Sequence, residues 1–256
     1  LIFVTSKIKY NFFSRVSQIA LLVSIPLLIY TIIKGDSINN AQRWLVLPVI
    51  KLSFQTSDFA KLALIAYTAR LLSKKQYLLH DFKNGFLPII LPIIVICALI
   101  LRANLSTSVL LFLNCFVLLF CGGVPLKYLA GTIGSGILII VILIPFFMMF
   151  PKIMPRFETW KKRVETYVSK EKNEDDNYQS NCSKIAISYG GFLGMGPGKS
   201  IQRNYMPQSS SDYIYAIIVE EYGSLTGSLI VLFYLILLYR GLKTAMKSKT
   251  LFATFL

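Results

Sequence analysis

Four groups of polar residues stand in or beside strongly apolar stretches of this 256-residue chain, and each has a type and spacing suited to chemistry. Asp58 and Lys61 are three apart, which on a helix puts opposite charges on one face. Buried in a membrane, such charges must pair or meet water, so the pair reads as a functional position or as a salt bridge that fixes helix packing. Arg43, in Asn39-Asn40-Ala41-Gln42-Arg43-Trp44, can grip a phosphate through its guanidinium, or with Trp44 serve as an interface anchor. The run Gly190-Gly191-Phe192-Leu193-Gly194-Met195-Gly196-Pro197-Gly198-Lys199-Ser200 can bring backbone amides to an anion, with Lys199 and Arg203 adding charge; the competing reading is a tight re-entrant turn. It is not a nucleotide P-loop, because the first glycine of that motif would fall at Leu193 and no strand-to-helix context surrounds it. Asp212 stands where a long polar stretch enters an apolar helix, as a cap or as a general base at the water boundary. Glu220 and Glu221 lie deeper in that helix and need partners or water.

Other chemistries are excluded. His80 is the only histidine and sits in a short basic loop, against a Ser-His-Asp site or a histidine metal cluster. Cys97, Cys115 and Cys121 lie in apolar runs as packing residues, and Cys182 stands apart, so no disulfide framework or metal motif emerges.

The elements that must position these residues are membrane helices. Apolar runs cover Val16 to Ile33, Gly85 to Leu101, Thr107 to Cys121, Tyr128 to Phe150 and Tyr213 to Tyr239. A sixth, Asp58 to Leu72, carries Lys61 and suits a helix packed inside the bundle. No alternating ten-residue pattern appears, so strands are not expected. Lysine and arginine crowd into Lys7 to Arg15, Arg70 to Lys83, Val124 to Tyr128 and Arg240 to Lys249, which makes these the cytoplasmic side. Lys34 to Trp44, the turn from Arg102 to Ser106, and a large loop over residues 151–211 then lie outside.

Composition agrees: 55% of residues are hydrophobic, 15% are charged, and the mean hydropathy is +0.61. The net charge of +15 flanks apolar helices, where it anchors lipid headgroups, and no fold that could read a nucleic-acid groove is visible. The loop from Lys161 to Asn177 is dense in both charge signs and reads as a solvated surface or a partner contact. Both ends, Leu1-Ile2-Phe3-Val4 and Leu251 to Leu256, read as cut helices, and neither as a signal peptide.

Taken together, Asn39 to Trp44, Phe54 to Leu62, Tyr189 to Ser200, Gln202, Met206-Pro207-Gln208 and Ser211 to Gly223 resemble the shape, elongation, division and sporulation (SEDS) family, nearest its FtsW-like members. The resemblance implies an all-α, polytopic transmembrane bundle, this chain being a fragment of a roughly ten-helix fold, truncated at both ends and forming one membrane domain. It implies a peptidoglycan glycosyltransferase of the bacterial inner membrane that polymerises lipid II with a class B penicillin-binding transpeptidase and divisome proteins. FtsW-like members serve the septum, RodA-like members elongation.

By the same resemblance the catalytic aspartate is Asp212, and the family's outer-loop Pro-Glu falls on Pro207-Gln208, without its glutamate. Ser57-Asp58 replaces a Ser-Glu, and Arg102 to Thr107 lacks both acids of the family's Glu-Pro-Asp block. The mechanism implied is inverting: Asp212 takes the acceptor hydroxyl proton while undecaprenyl pyrophosphate leaves. Lys199, Arg203, Arg43 and Lys61, in that order, would meet the growing charge on the pyrophosphate, with Asp58 and Gln202 beside the substrate. A divalent ion could share that task, though no ligand cluster names one. A lipid flippase using Asp58 and Lys61, or a scaffold that recruits the transpeptidase, are the competing classes.

Overall fold

The computed structural model describes residues 8, 10–34, 36–38, 41–46, 53–149, 174–206 and 209–256. They belong to two compact units, Leu1–Met154 with Ala245–Leu256, and Pro155–Thr244.

The first unit is a helix bundle. Helix α1 is Tyr10–Lys34, α2 Thr56–Lys74, α3 Leu87–Ala103, α4 Leu105–Cys121 and α5 Leu126–Met149. Buried positions on α1 are Ser17, Leu21, Ser24, Leu28 and Thr31, an alternation of four and three residues that makes one seam. Its hydroxyls bond back to the helix's own carbonyls, Ser24 to Leu21 at 2.8 Å and Thr31 to Leu27 at 2.7 Å, so the seam presents no orphan donor. It packs on α2, whose buried face carries Leu64 together with Thr56, Ala60, Ala63 and Thr68, the last four being small side chains that let membrane helices approach closely. The opposite face of α1 exposes Ile19, Leu22, Val23, Ile29 and Ile33, as a lipid-facing surface does. On α3, Ile89, Ile93, Ile96 and Ile100 repeat the same spacing, and Ser108 of α4 donates to the Cys97 carbonyl at 2.7 Å.

Arg70 on α2 donates to the Ser14 carbonyl on α1, and the Tyr128 hydroxyl donates to the His80 carbonyl at 2.8 Å. Three of the basic segments therefore gather at one end of the unit; the short helix α8, Leu251–Phe255, also packs on α2. At the other end Thr31, Thr56, Ser57 and Asn104 line a cavity of about 20 Å³, room for one water.

That end also carries what the sequence did not lead us to expect. Strands β1 Asp36–Ile38, β2 Ala41–Val46 and β3 Ser53–Gln55 form an antiparallel sheet in the order β1-β2-β3. Strands of three to six residues are too short for the alternation expected of a spanning strand, and they lie between the helices rather than across a membrane.

The second unit holds α6, Glu174–Gly190, inside the stretch read as one long loop, and α7, Ile214–Met246. Cys182 of α6, Met206, and Tyr213 with Ile217 at the start of α7 form its small core. Residues 161–173 of the charged loop lie outside the described residues. Among the described residues three helical segments are long and apolar enough to cross a membrane, Phe12–Ile33, Phe82–Ala103 and Ile214–Met246, with Leu105–Cys121 and Leu126–Ile139 shorter. The chain is an integral membrane protein of helical class.

Candidate functional site

Helix α7 is broken at Gly223, whose φ of 84° and ψ of 167° are not helical. In an unbroken helix the amides of Ser224 and Leu225 would donate to the carbonyls of Glu220 and Glu221. Here the glycine run supplies the missing partners. Met195 N–H donates to Glu220 O and Gly196 N–H to Glu221 O, both at 2.9 Å, while Ser224 N–H donates to Gly191 O at 2.9 Å and Leu225 N–H approaches Phe192 O at 3.5 Å. Such closeness requires glycine. A Cβ on Gly190 would lie 2.0 Å from Val219 O, and one on Gly194 2.3 Å from Glu221 O.

Glu220 completes the join. Its relative exposure is 0%, yet both carboxylate oxygens are served: the Ser200 hydroxyl donates to Oε2, and the amides of Ile201 and Gln202 donate to Oε1 at 3.0 and 3.3 Å. Arg203 N–H donates to Ser200 Oγ at 3.1 Å. The anion that the sequence led us to seek for this loop's amides is therefore, for Ile201 and Gln202, a side chain of the protein itself. The amides of Met195 and Gly196 are taken by helix carbonyls, and that of Lys199 by Gly196 O at 3.2 Å.

What remains available are side chains. Lys199 is exposed, with its stem over Gly196. Arg203, also exposed, lines a cleft of about 210 Å³ with Ser209, Ser210, Ile214, Ile217, Ile218 and Glu221. Such a cleft can hold a group with an anionic head and an apolar tail. Asp212 is exposed and lies between the cleft residues Ser210 and Ile214. Tyr213, not Asp212, stands at the helix boundary, its carbonyl accepting from Ala216 N–H at 3.0 Å. Among the described residues the Asp212 carboxylate accepts no hydrogen bond from a first-turn amide.

The remaining candidates belong to the first unit. Lys61 Nζ meets Asp58 Oδ1 at 2.6 Å, with the side chains 34% and 54% exposed. The pair exists, but it is half open rather than buried. Strand β2 carries Arg43 and pairs with β3, Trp44 opposite Gln55, and β3 runs directly into α2; Arg43 thus stands on the strand beside the Asp58 end of that helix. Its side chain and Pro207-Gln208 lie outside what the structure describes. Among the described residues no group of three His, Cys, Asp or Glu side chains gathers as a metal site.

Two features escaped the sequence reading: the break at Gly223 and the clamp by Glu220. The available signal was the pattern Glu220-Glu221-Tyr222-Gly223 inside an apolar helix, following a five-glycine loop that ends in a hydroxyl residue.

A helical membrane protein whose broken spanning helix is joined by a glycine loop defines the class. The chain belongs to the FtsW/RodA/SpoVE family of cell cycle proteins, whose model matches residues 1–256. It is 32% identical over 248 residues to stage V sporulation protein E of Bacillus subtilis, covering 93% of this chain and 63% of that protein. It is 30% identical over 258 residues to the probable peptidoglycan glycosyltransferase FtsW of Trichlorobacter lovleyi, covering 99% and 65%. The chain thus spans less than two thirds of the length of these relatives. Among solved structures, it superposes with a TM-score of 0.68 and 18% identity on a chain reported under "Structural coordination of polymerization and crosslinking by a peptidoglycan synthase complex", covering 99% of this chain and 68% of that one. The rod shape determining protein RodA of Thermus thermophilus follows, with a TM-score of 0.60, 18% identity, and 99% and 65% coverage. At that identity the likeness is one of fold.

Proposed function

We propose that the full-length protein is a peptidoglycan glycosyltransferase that polymerises lipid II into glycan strands at the outer face of the bacterial cytoplasmic membrane, at the division septum. The names of the FtsW relatives support the activity, and the observation that carries it to this chain is the placing of Asp212. An exposed carboxylate stands in the chain between Ser210 and Ile214, two residues that line a cleft with Arg203, Ser209, Ile217, Ile218 and Glu221. Lipid II has the matching chemistry: a sugar to be activated, a pyrophosphate, and a polyprenyl chain.

In this reaction the acceptor sugar hydroxyl attacks the anomeric carbon of the donor. Asp212 takes the hydroxyl proton, the new C–O bond forms, and the bond from that carbon to the phosphate oxygen breaks, its electron pair leaving with undecaprenyl pyrophosphate. Charge grows on the leaving oxygens, where Lys199 and Arg203 stabilise the transition state more than the ground state, with Gln202 a polar contact. A class B penicillin-binding transpeptidase is the proposed partner, supported by the likeness to a chain of a synthase complex that coordinates polymerization with crosslinking.

The test is polymerisation of purified lipid II by the full-length protein with its transpeptidase, comparing wild type with Asp212→Asn at matched folding. The substitution is expected to lower the rate by about 10²- to 10⁴-fold, the range of a general base. Equal polymer from both refutes Asp212 as the base. No polymer from either, with the complex verified, moves the reading to a lipid flippase or a scaffold.

A further inference from the structure

A carboxylate taken wholly out of water must have its oxygens partnered, because an unsatisfied buried acid is among the costliest groups a fold can carry. Glu220 meets that demand without a cation: among the described residues the recorded ion pair is that of Lys61 with Asp58. Its partners are the Ser200 hydroxyl and two consecutive amides, and that hydroxyl in turn accepts from Arg203 N–H. Residues 200–203 are wound round this carboxylate as a backbone nest winds round a bound anion.

Arg203 ends that segment and its side chain lines the cleft. No salt bridge to the guanidinium is recorded among the described residues, so the direction in which Arg203 leaves the backbone is set by the segment that Glu220 holds. We infer that Glu220 is a positioning residue for Arg203, acting through Ser200, Ile201 and Gln202 and never touching substrate. The inference rests on the reading of Arg203 as a cation that meets the leaving pyrophosphate. It also sets how that anion is recognised. The nest is filled from within by Glu220, so the pyrophosphate is met by side chains and not by the amides of Ile201 and Gln202.

The test uses the full-length protein in lipid nanodiscs with its transpeptidase, as wild type, Glu220→Ala, Glu220→Gln, Ser200→Ala, Arg203→Ala, and Arg203→Ala combined with Glu220→Ala. Amide hydrogen exchange is followed at Ile201, Gln202 and Arg203, thermal unfolding on the same samples, and polymerisation with lipid II. Loss of the clamp in Glu220→Ala raises exchange at these amides by about tenfold or more, whereas Arg203→Ala leaves exchange unchanged and lowers the rate. Glu220→Gln keeps an acceptor for both amides and can donate to Ser200 Oγ, so exchange and rate stay within about threefold of wild type. The combined variant polymerises no more slowly than the slower of its two parents, since Arg203 is already misplaced when Glu220 is gone.

Losses that multiply in the combined variant, or exchange that does not change in Glu220→Ala, overturn the inference. Should Glu220→Ala fail to fold, Ser200→Ala carries the test: exchange rises at Arg203, and Arg203→Ala adds nothing to its loss of rate. A wild type that makes no polymer overturns the transferase reading and the role of Arg203 with it, while raised exchange in Glu220→Ala still upholds the clamp.

Discussion

Gly190 offers the sharpest perturbation of the join between the glycine loop and α7. It has ordinary helical torsions, so Gly190→Ala tests contact alone, free of backbone strain. The added methyl would lie 2.0 Å from Val219 O, 2.7 Å from Val219 C and 2.9 Å from Glu220 Cα, all backbone that cannot rotate away. Relief requires the loop to withdraw by more than 1 Å, roughly the difference from an ordinary carbon–oxygen contact of about 3.5 Å. That separation breaks the bonds from Met195 to Glu220 O, Gly196 to Glu221 O and Ser224 to Gly191 O, each now 2.9 Å long. Three such bonds contribute about 3 kcal/mol net, and carbonyls left unserved in an apolar helix raise the cost to about 3–5 kcal/mol. Gly131→Ala in α5, where nothing lies within 4 Å of the added methyl, is the control and is expected to be neutral or stabilising by up to about 1 kcal/mol. Gly198→Ala, at φ 73° in open space, pays only for its torsion, about 1–2 kcal/mol. Thermal unfolding of the full-length protein in one detergent ranks the three. Gly190→Ala melting together with Gly131→Ala would refute the close approach of loop and helix.

Breaking the half-exposed pair on α2 by Asp58→Asn should change the unfolding free energy by no more than about 0.5 kcal/mol, read by the same melts; a loss of several times that would mean that the pair is buried in the whole protein. Ser108→Ala removes a buried hydroxyl that donates to the Cys97 carbonyl at 2.7 Å between α3 and α4, and should cost about 1 kcal/mol in that assay.

The helices were legible because apolar length is written directly in the residues, whereas the seam along Ser17, Leu21, Ser24, Leu28 and Thr31 emerges only from the packing, since serine and threonine do not stand out as core residues. Boundaries were less legible: α1 starts at Tyr10 rather than Val16, because its first turns are polar and aromatic. The three short strands were missed for want of any long alternating pattern, and α6 because its polar residues carry no spanning signal. Asp212 stood out through the family resemblance, whereas Glu220 was noticed only as an acid in need of partners. Its partners lie eighteen to twenty residues earlier in the chain, and no local periodicity connects Ser200 to Glu220.

The glycine run is the instructive case, since the same residues support two opposite readings. Glycines with exposed amides make a site for a ligand's anion, while glycines with satisfied amides make a joint. The bonds decide between them. Helix α7 gives up two internal hydrogen bonds at Gly223, and the run returns partners to both of its carbonyls and both of its amides, with Glu220 organising the segment that follows. A helix broken in this way keeps its polar backbone groups paired within the protein itself. The first turns of α7 and the segment from Ser200 to Arg203 are thereby joined as one piece, and each contributes a charged side chain to the lining of the cleft, Glu221 from the helix and Arg203 from the loop.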